Sequence, residues 1–517
     1  MARRYKPRVL MIALCAALSV SSCVDSGAPA ADGRSYSLPD PALDVSAPVG
    51  DAMLEYTKPA VFYLPRHDGA RLIAVTDTIP LSEGRLVAES IVRLLLEQPG
   101  SSIASPLGGE VKLSLFGANP VEVSGDVATV NLAASALQLD RKTLCLVSHA
   151  ITNTLTELDS IQYVNTLVAD KSLALDIAST LPQGSLVRSM GEDIGALYEQ
   201  QLSRRVLSGE EAAAKRLTAT ATLYFPLSAI NGVMAEARNV TFDSMVPADM
   251  VVTLMKEISS GAAVVKGSPA MPLLSEYLLE EPLVSQPADI GGNLITLRFS
   301  YLFDEMLQTL KVSRASCMAA LCYTLTTFLP NVAGIEVYID SELVEHVMLS
   351  GTNGILFEDG IQRRVDFASL LMDDAALYFA SASGLKLQKV SRPIPFYQTS
   401  NPRALLNELF RGPSDADNAS GTLATIPAGM LKDSDIIGIS LSGDTLLVNL
   451  SQSFLEAGNG LNADGDRLMA YSMVNTLLHA ASARRVAFFV GGSQIAGFTN
   501  EISWKGWFLE NVGIVAD

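Results

Sequence analysis

An α+β fold is what the sequence predicts: three tandem copies of a β-β-α-β-β-α-β module, with two helices packed on one face of a small mixed sheet in each copy. Three recurrences predict it. Val61-Phe62-Tyr63-Leu64-Pro65, Thr222-Leu223-Tyr224-Phe225-Pro226 and Ala376-Leu377-Tyr378-Phe379-Ala380 are apolar, aromatic runs of one kind. Farther along, Gly125, Gly292 and Gly443 each lead an apolar trio at the same offsets: Ala128, Val130 and Leu132; Ile295, Leu297 and Phe299; Leu446, Val448 and Leu450. Beyond each trio, apolar residues stack at i, i+4 and i+8: Val147, Ile151 and Leu155; Cys317, Leu321 and Leu325; Met469, Met473 and Leu477. Self-similarity at long period marks a repeated structural unit.

The opening runs read as strands, because β-branched and aromatic residues fit a pleated, half-buried surface. A second strand follows each, over Arg71 to Ile79, Val233 to Phe242 and Lys386 to Phe396. Helical spacing comes next: Leu86 to Gln98 closed by Pro99-Gly100, Ala248 to Ser260 closed by Gly261, and Pro402 to Arg411 closed by Gly412-Pro413. Proline just inside a start and glycine just past an end are helix boundaries. The glycine-led trios have period two, so each lies on one face of a strand, with Asn131, Arg298 and Asn449 on the other. Val111 to Phe116 and Ile436 to Leu441 read as their hairpin partners. Pro282 to Ala288 is the weaker equivalent in the second copy. The i, i+4, i+8 stripes define a second helix in each copy, and Asn153-Thr154-Leu155, Tyr323-Thr324-Leu325 and Asn475-Thr476-Leu477 align it. A strand over Ile161 to Val168, Ile335 to Ile339 and Val486 to Val490 follows, then an amphipathic tail near Ile194 to Leu202, Val365 to Met372 and Trp504 to Val512. Ser203 to Lys215 reads as a charged helical linker. The module boundaries fall at 51–205, 206–372 and 373–517.

Upstream, Arg3, Arg4, Lys6 and Arg8 precede an apolar run from Val9 to Val20, a signal-peptide pattern too short to span a bilayer comfortably. The run ends in Val20-Ser21-Ser22-Cys23, a lipobox, so 1–22 reads as a lipoprotein signal and Cys23 as the lipidated residue. Residues 23–50, with Gly, Ala, Pro and Asp, read as a flexible linker. The expected location is the extracytoplasmic face of a bacterial cell membrane, held by the lipid. Hydrophobic content of 49% against 18% charged suits globular domains rather than disorder. Net charge is −18, and loss of the four basic residues of 1–22 takes it to −22. Such a chain does not seek nucleic acid, and bare anionic lipid repels it.

The order of these segments resembles the GerMN domain, a module of sporulation and germination lipoproteins. The third copy carries the resemblance best, through Tyr378-Phe379, Val390-Ser391-Arg392, Gly412-Pro413 and Val448-Asn449-Leu450-Ser451. The first has Tyr63-Leu64-Pro65 and Val130-Asn131-Leu132 but Asp77 where the arginine is expected. The second keeps Arg238, lacks the Gly-Pro, and has Arg298-Phe299 for Asn-Leu. The resemblance implies a non-enzymatic scaffold or protein-interaction module of the cell envelope, with envelope proteins or further copies of itself as partners, no cofactor and no catalytic residues. Two modules are usual, and three depart from the pattern. A regulator of cell-wall hydrolysis and a small-ligand-binding lipoprotein are the alternatives.

Chemistry-bearing residues are sparse. His67, His149, His346 and His479 show no zinc spacing. Ser148 and His149, adjacent on a helix, point apart. Cys145, Cys317 and Cys322 form no disulfide framework and read as small buried apolar residues. Asn462-Ala463-Asp464-Gly465-Asp466 resembles the start of a calcium loop without its later ligands, and capping is the simpler reading. Asp373-Asp374 and Glu280-Glu281 read as solvated turns. Trp504 and Trp507, with Phe508 and Val512, read as a helix face that closes the third core or offers a contact patch.

Overall fold

The first region opens on a long antiparallel hairpin, β1 (Glu55–Pro65) with β2 (Leu72–Ser82), in which Phe62, Leu64 and Ile79 are buried. Helix α1 (Val87–Glu97) buries Ala88, Ile91, Val92 and Leu95, the i, i+3, i+4, i+7 face of an amphipathic helix. A mixed sheet follows: β3 (Val121–Ser124) antiparallel to β4 (Val127–Leu132), β4 parallel to β5 (Tyr163–Val168), and β6 (Lys171–Ser172) at the edge. Helix α2 (Arg141–Leu155) joins β4 to β5, its start capped by Asp140, whose carboxylate accepts from Thr143 N–H at 2.8 Å. Helix α3 (Ile194–Leu202) ends the region.

The computed structural model describes residues 45–52, 55–82, 87–175, 181–189, 191, 193–202, 216–228, 230–480, 483–499 and 502–516. The signal segment 1–22, Cys23, the linker as far as residue 44 and the charged linker 203–215 lie outside the described residues.

The second region has the hairpin β7 (Leu217–Pro226) and β8 (Val233–Phe242), then α4 (Pro247–Ser259), β9 (Leu283–Ser285) and β10 (Asn293–Phe299). It continues through α5 (Leu302–Leu310), α6 (Arg314–Phe328), β11 (Val332–Ile339) and the short strands β12 (Glu342–Leu343), β13 (His346–Ser350), β14 (Asn353–Leu356) and β15 (Ile361–Gln362). The third has the hairpin β16 (Met372–Ala380) and β17 (Leu387–Pro395), then α7 (Pro402–Arg411), α8 (Asp415–Ala419), β18 (Ile436–Ser442), β19 (Thr445–Leu450), α9 (Ser453–Ala457), α10 (Ala463–Ala480) and β20 (Arg485–Val490). β10 runs parallel to β11, and β19 to β20, as β4 does to β5.

The hairpin register is the same in all three regions. Ala60 pairs Asp77, Ala221 pairs Arg238 and Ala375 pairs Arg392. Val147, Ile151, Leu155, Cys317, Leu321, Leu325, Met469, Met473 and Leu477 all have no exposed surface.

Three expectations need correction. The strands of a region do not form one sheet with both helices on one face. Each hairpin is a two-stranded sheet of its own. The long helix lies between it and the mixed sheet, and for this reason α6 is buried on nearly every side. The physical cause is a side-chain substitute for a third strand: Tyr63 N–H donates to Thr154 Oγ1 at 3.0 Å, Tyr224 N–H to Thr324 Oγ1 at 2.9 Å, and Tyr378 N–H to Thr476 Oγ1 at 3.1 Å. Each threonine takes an amide that the hairpin leaves free, so the helix closes that edge.

Val111 to Phe116 is not the partner strand of β4; Val121–Ser124 is. The apolar residues of 111–115 face the core, but only Leu115 bridges β4, at Leu132. Trp504 to Val512 is not helical, because Gly506 sits at φ +85° and Phe508 instead exchanges main-chain hydrogen bonds with Val486.

Candidate functional site

Asn153 Nδ2 donates to Ser189 O at 2.8 Å and its Oδ1 accepts from Ser189 N–H at 2.9 Å. Asn475 makes the same two bonds to Asn511, both at 2.9 Å. Each asparagine ties the chain after the last strand to the long helix. Asn131 Oδ1 accepts from Asp170 N–H at 3.0 Å, and Asn449 Oδ1 from Gly492 N–H at 3.1 Å, holding the turn after the parallel strand. Arg238 and Arg392 each lie over a phenylalanine ring, Phe225 or Phe379, and donate to the glycine carbonyl past the first helix, Gly261 O at 3.0 Å and Gly412 O at 2.9 Å. That carbonyl is an orphan acceptor of the helix end. In the first region Leu64 and Asp77 replace the phenylalanine and arginine together, and Gln98 Nε2 donates to Asp77 Oδ2 at 3.3 Å.

The second region departs from this plan at Tyr323, which replaces the asparagine. Its ring stacks on Tyr224, centroids 4.9 Å apart, and the Arg364 guanidinium lies 4.4 Å from it. Arg364 is 4% exposed. It donates to Tyr323 O at 3.3 Å and Thr327 Oγ1 at 2.5 Å, and pairs with Glu122 of β3. Burial raises the Glu122 carboxyl above its usual range, and the guanidinium pulls against that shift. A cleft of about 300 Å³ opens over this pair, walled by Phe116, Asn119, Asn131, Asp170 and Val365. Sequence reasoning missed the pair. The signal available was the loss of asparagine at 323 together with arginine in an apolar tail.

The residues singled out in the sequence do not converge. His67 contacts Ser105 Oγ and Ser101 O at 3.0 and 3.1 Å. His149 is buried in α2, beside Ser148, whose hydroxyl goes to Leu144 O. His346 begins β13. His479 Nε2 lies 3.1 Å from Lys389 Nζ; burial and that ammonium lower its pKa. Cys145, Cys317 and Cys322 are buried free thiols; burial pushes Cys145 and Cys317 up to about 12 and Cys322 higher. Asn462 Oδ1 accepts from Gly465 N–H at 2.8 Å, a helix cap. Asp466 is fully buried and accepts from Trp504 Nε1–H at 2.7 Å and Thr499 N–H at 2.9 Å. Trp504 therefore closes the third core, while Trp507 is 38% exposed beside Arg485. Glu280 pairs with Arg298. Asp373 is not in a solvated turn: it lies in β16, against the first region. Among the described residues no group of three or more His, Cys, Asp or Glu could hold a metal, and no helix is long and apolar enough to cross a membrane.

Residues 61–174 and 376–496 match the family Germane, described as sporulation and spore germination. These two segments are Germane domains. Each Germane domain contains its own hairpin, long helix and parallel strand pair. The residues between 174 and 376 lie outside both matches. Among solved structures, the chain is similar to the tandem GerMN domains of the sporulation protein GerM from Bacillus subtilis, at 16% identity over 60% of this chain and 99% of that one, with a TM-score of 0.22. It is also similar to the first GerMN domain of that protein (18% identity, 28% and 97% covered, TM-score 0.19) and to a putative lipoprotein from Clostridium perfringens (16%, 23% and 78%, TM-score 0.16). No curated protein matches the chain significantly.

Proposed function

We propose that this chain is a non-catalytic scaffold of the cell envelope, anchored to the extracytoplasmic face of the membrane through Cys23 and serving sporulation or germination. The family description supplies the setting. The observation that carries the scaffold reading is how the recurrent polar side chains are used. Thr154, Asn153, Asn131, Arg392 and their counterparts are spent on the protein's own main chain. A catalytic repeat would recur in groups aimed at a substrate.

The second region, 206–372, is on this reading a third, diverged Germane module. It keeps the hairpin register and the threonine–amide bond, and supports the neighbouring domains instead of repeating their asparagine ties. Crosslinking in intact cells tests the proposal: envelope proteins or further copies should be captured, and a chain that captures neither sinks it. Labelling with a palmitate analogue tests the anchor, because a Cys23→Ala variant that still takes label excludes it.

A small-ligand reading rests on the cleft above Arg364 and Glu122, whose volume is at the low end for ligand sites. If a panel of envelope metabolites leaves the melting temperature unmoved, that reading is removed.

A further inference from the structure

The mixed sheet of each Germane domain has an outer face, away from the long helix, that needs a cover. In the first domain the second region supplies it. Asn165 Nδ2 donates to Thr222 Oγ1 at 2.9 Å, and Thr129 Oγ1 meets the Tyr224 hydroxyl at 3.4 Å. In the third domain the corresponding face is Leu447, Ala487 and Phe489, all buried, and what packs on it is Val45 and Ala47.

Residues 45–48 cross the face of that sheet, and residues 50–52 lie along β18, one of its edges. Gly50 N–H donates to Ile437 O and Ala52 N–H to Ile439 O, both at 3.0 Å. The two numbers rise together, so the segment runs parallel to β18. Asn449 Nδ2 donates to Pro48 O at 2.9 Å. The Asp51 carboxylate is gripped by the Arg403 fork, Nε to Oδ2 at 2.6 Å and an Nη to Oδ1 at 2.9 Å, and it also accepts from Ile439 N–H at 3.0 Å. Bidentate pairing adds geometric selectivity to charge. Gly438 makes room: a Cβ there would stand 2.5 Å from Gly50 O. Along the β18 edge the hold is shallow all the same. Val49 is 91% exposed, and Gly50, Asp51 and Ala52 are exposed. Pro48 is buried and Val45 and Ala47 half-buried on the sheet face, but residues 49–52 have few buried apolar contacts and open at low cost, and opening there bares an unpaired strand edge, a template for another strand.

We propose that the β18 edge, with Arg403 and Gly438, is a docking groove for an extended Gly-Asp segment. It is closed by the chain's own residues 45–52, and it accepts residues 45–52 of a second copy in exchange, which gives a strand-swapped dimer. The chain's own segment has the advantage of effective concentration, so exchange is scarce in dilute wild-type protein.

Two full-length variants test this. Asp51→Ala has a sound groove and a poor segment; Arg403→Ala has a sound segment and a poor groove. Each alone should stay monomeric. Mixed, they contain one good pair, the Arg403→Ala segment in the Asp51→Ala groove, and light scattering should show a 1:1 dimer. A mixture that behaves as the sum of its parts overturns the exchange. A fluorescent peptide of residues 45–52 should bind the Asp51→Ala chain saturably, bind the wild-type chain about tenfold more weakly because its own segment competes, and fail to bind Asp51→Ala/Arg403→Ala. Absence of peptide binding to Asp51→Ala, or binding that survives loss of Arg403, overturns the groove itself. Unchanged near-ultraviolet circular dichroism establishes that each variant is folded.

Discussion

Arg364 and Glu122 are 242 positions apart and share one buried site. Removing one partner strands the other charge in a low-dielectric site, which costs more than the intact pair contributes. Arg364→Leu is expected to lose about 3–5 kcal/mol of stability in urea unfolding, while Arg364→Leu/Glu122→Leu recovers most of that. Asp373 carries the opposite kind of information. Gly125 N–H donates to its Oδ1 at 2.9 Å, and burial against the first domain pushes its carboxyl from the ordinary 3.8 up to about 7, against the pull of that bond. The folded state therefore keeps a proton that the unfolded chain has released. Stability from this group falls as pH rises between about 4 and about 7. Unfolding midpoints measured across that window should show the slope in the wild type and a flatter line in Asp373→Asn; equal slopes refute the assignment.

The threonine that closes each hairpin edge is the most repeatable device among the elements. Replacing Thr154, Thr324 or Thr476 by valine leaves a tyrosine amide without its acceptor, at an expected about 1–3 kcal/mol each. The costs should add in pairs, since the sites share no partners; denaturant titration reads both. Elements with local punctuation were legible beforehand. Pro402–Arg411 is helical as the sequence implied, because Asn401 caps it, proline opens it and Gly412 leaves it at φ +82°. Elements defined by distant partners were not. The alternation of Val111, Leu113 and Leu115 reports burial, and burial alone does not say whether a segment pairs. Trp504 and Phe508 have helical spacing and are buried, yet the main chain between them bends at Gly506 and is not helical.

The three regions are packed against one another. Ser124 Oγ donates to Met372 O at 2.6 Å, Lys171 Nζ to Gly291 O at 2.7 Å, and Val127 of β4 belongs to the core of the second region. Val127→Ala should therefore weaken β7 and β8 as well as its own sheet, by about 1–3 kcal/mol, read as faster amide exchange in 217–242. No local pattern announces such seams. The apolar faces of the repeat were readable because they are periodic; Arg364, Glu122, Asp373 and the segment 45–52 act through partners hundreds of positions away.

That segment also has a mechanical meaning. Residue 45 precedes the first domain in the chain but is fastened to the third. A pull on residue 45 directed along the segment loads the Gly50 and Ala52 bonds and the Asp51–Arg403 pair together, in shear, before any of it reaches β1. Tension arriving from upstream of residue 45 is thus borne by the third domain before it reaches the first, although the first comes earlier in the chain.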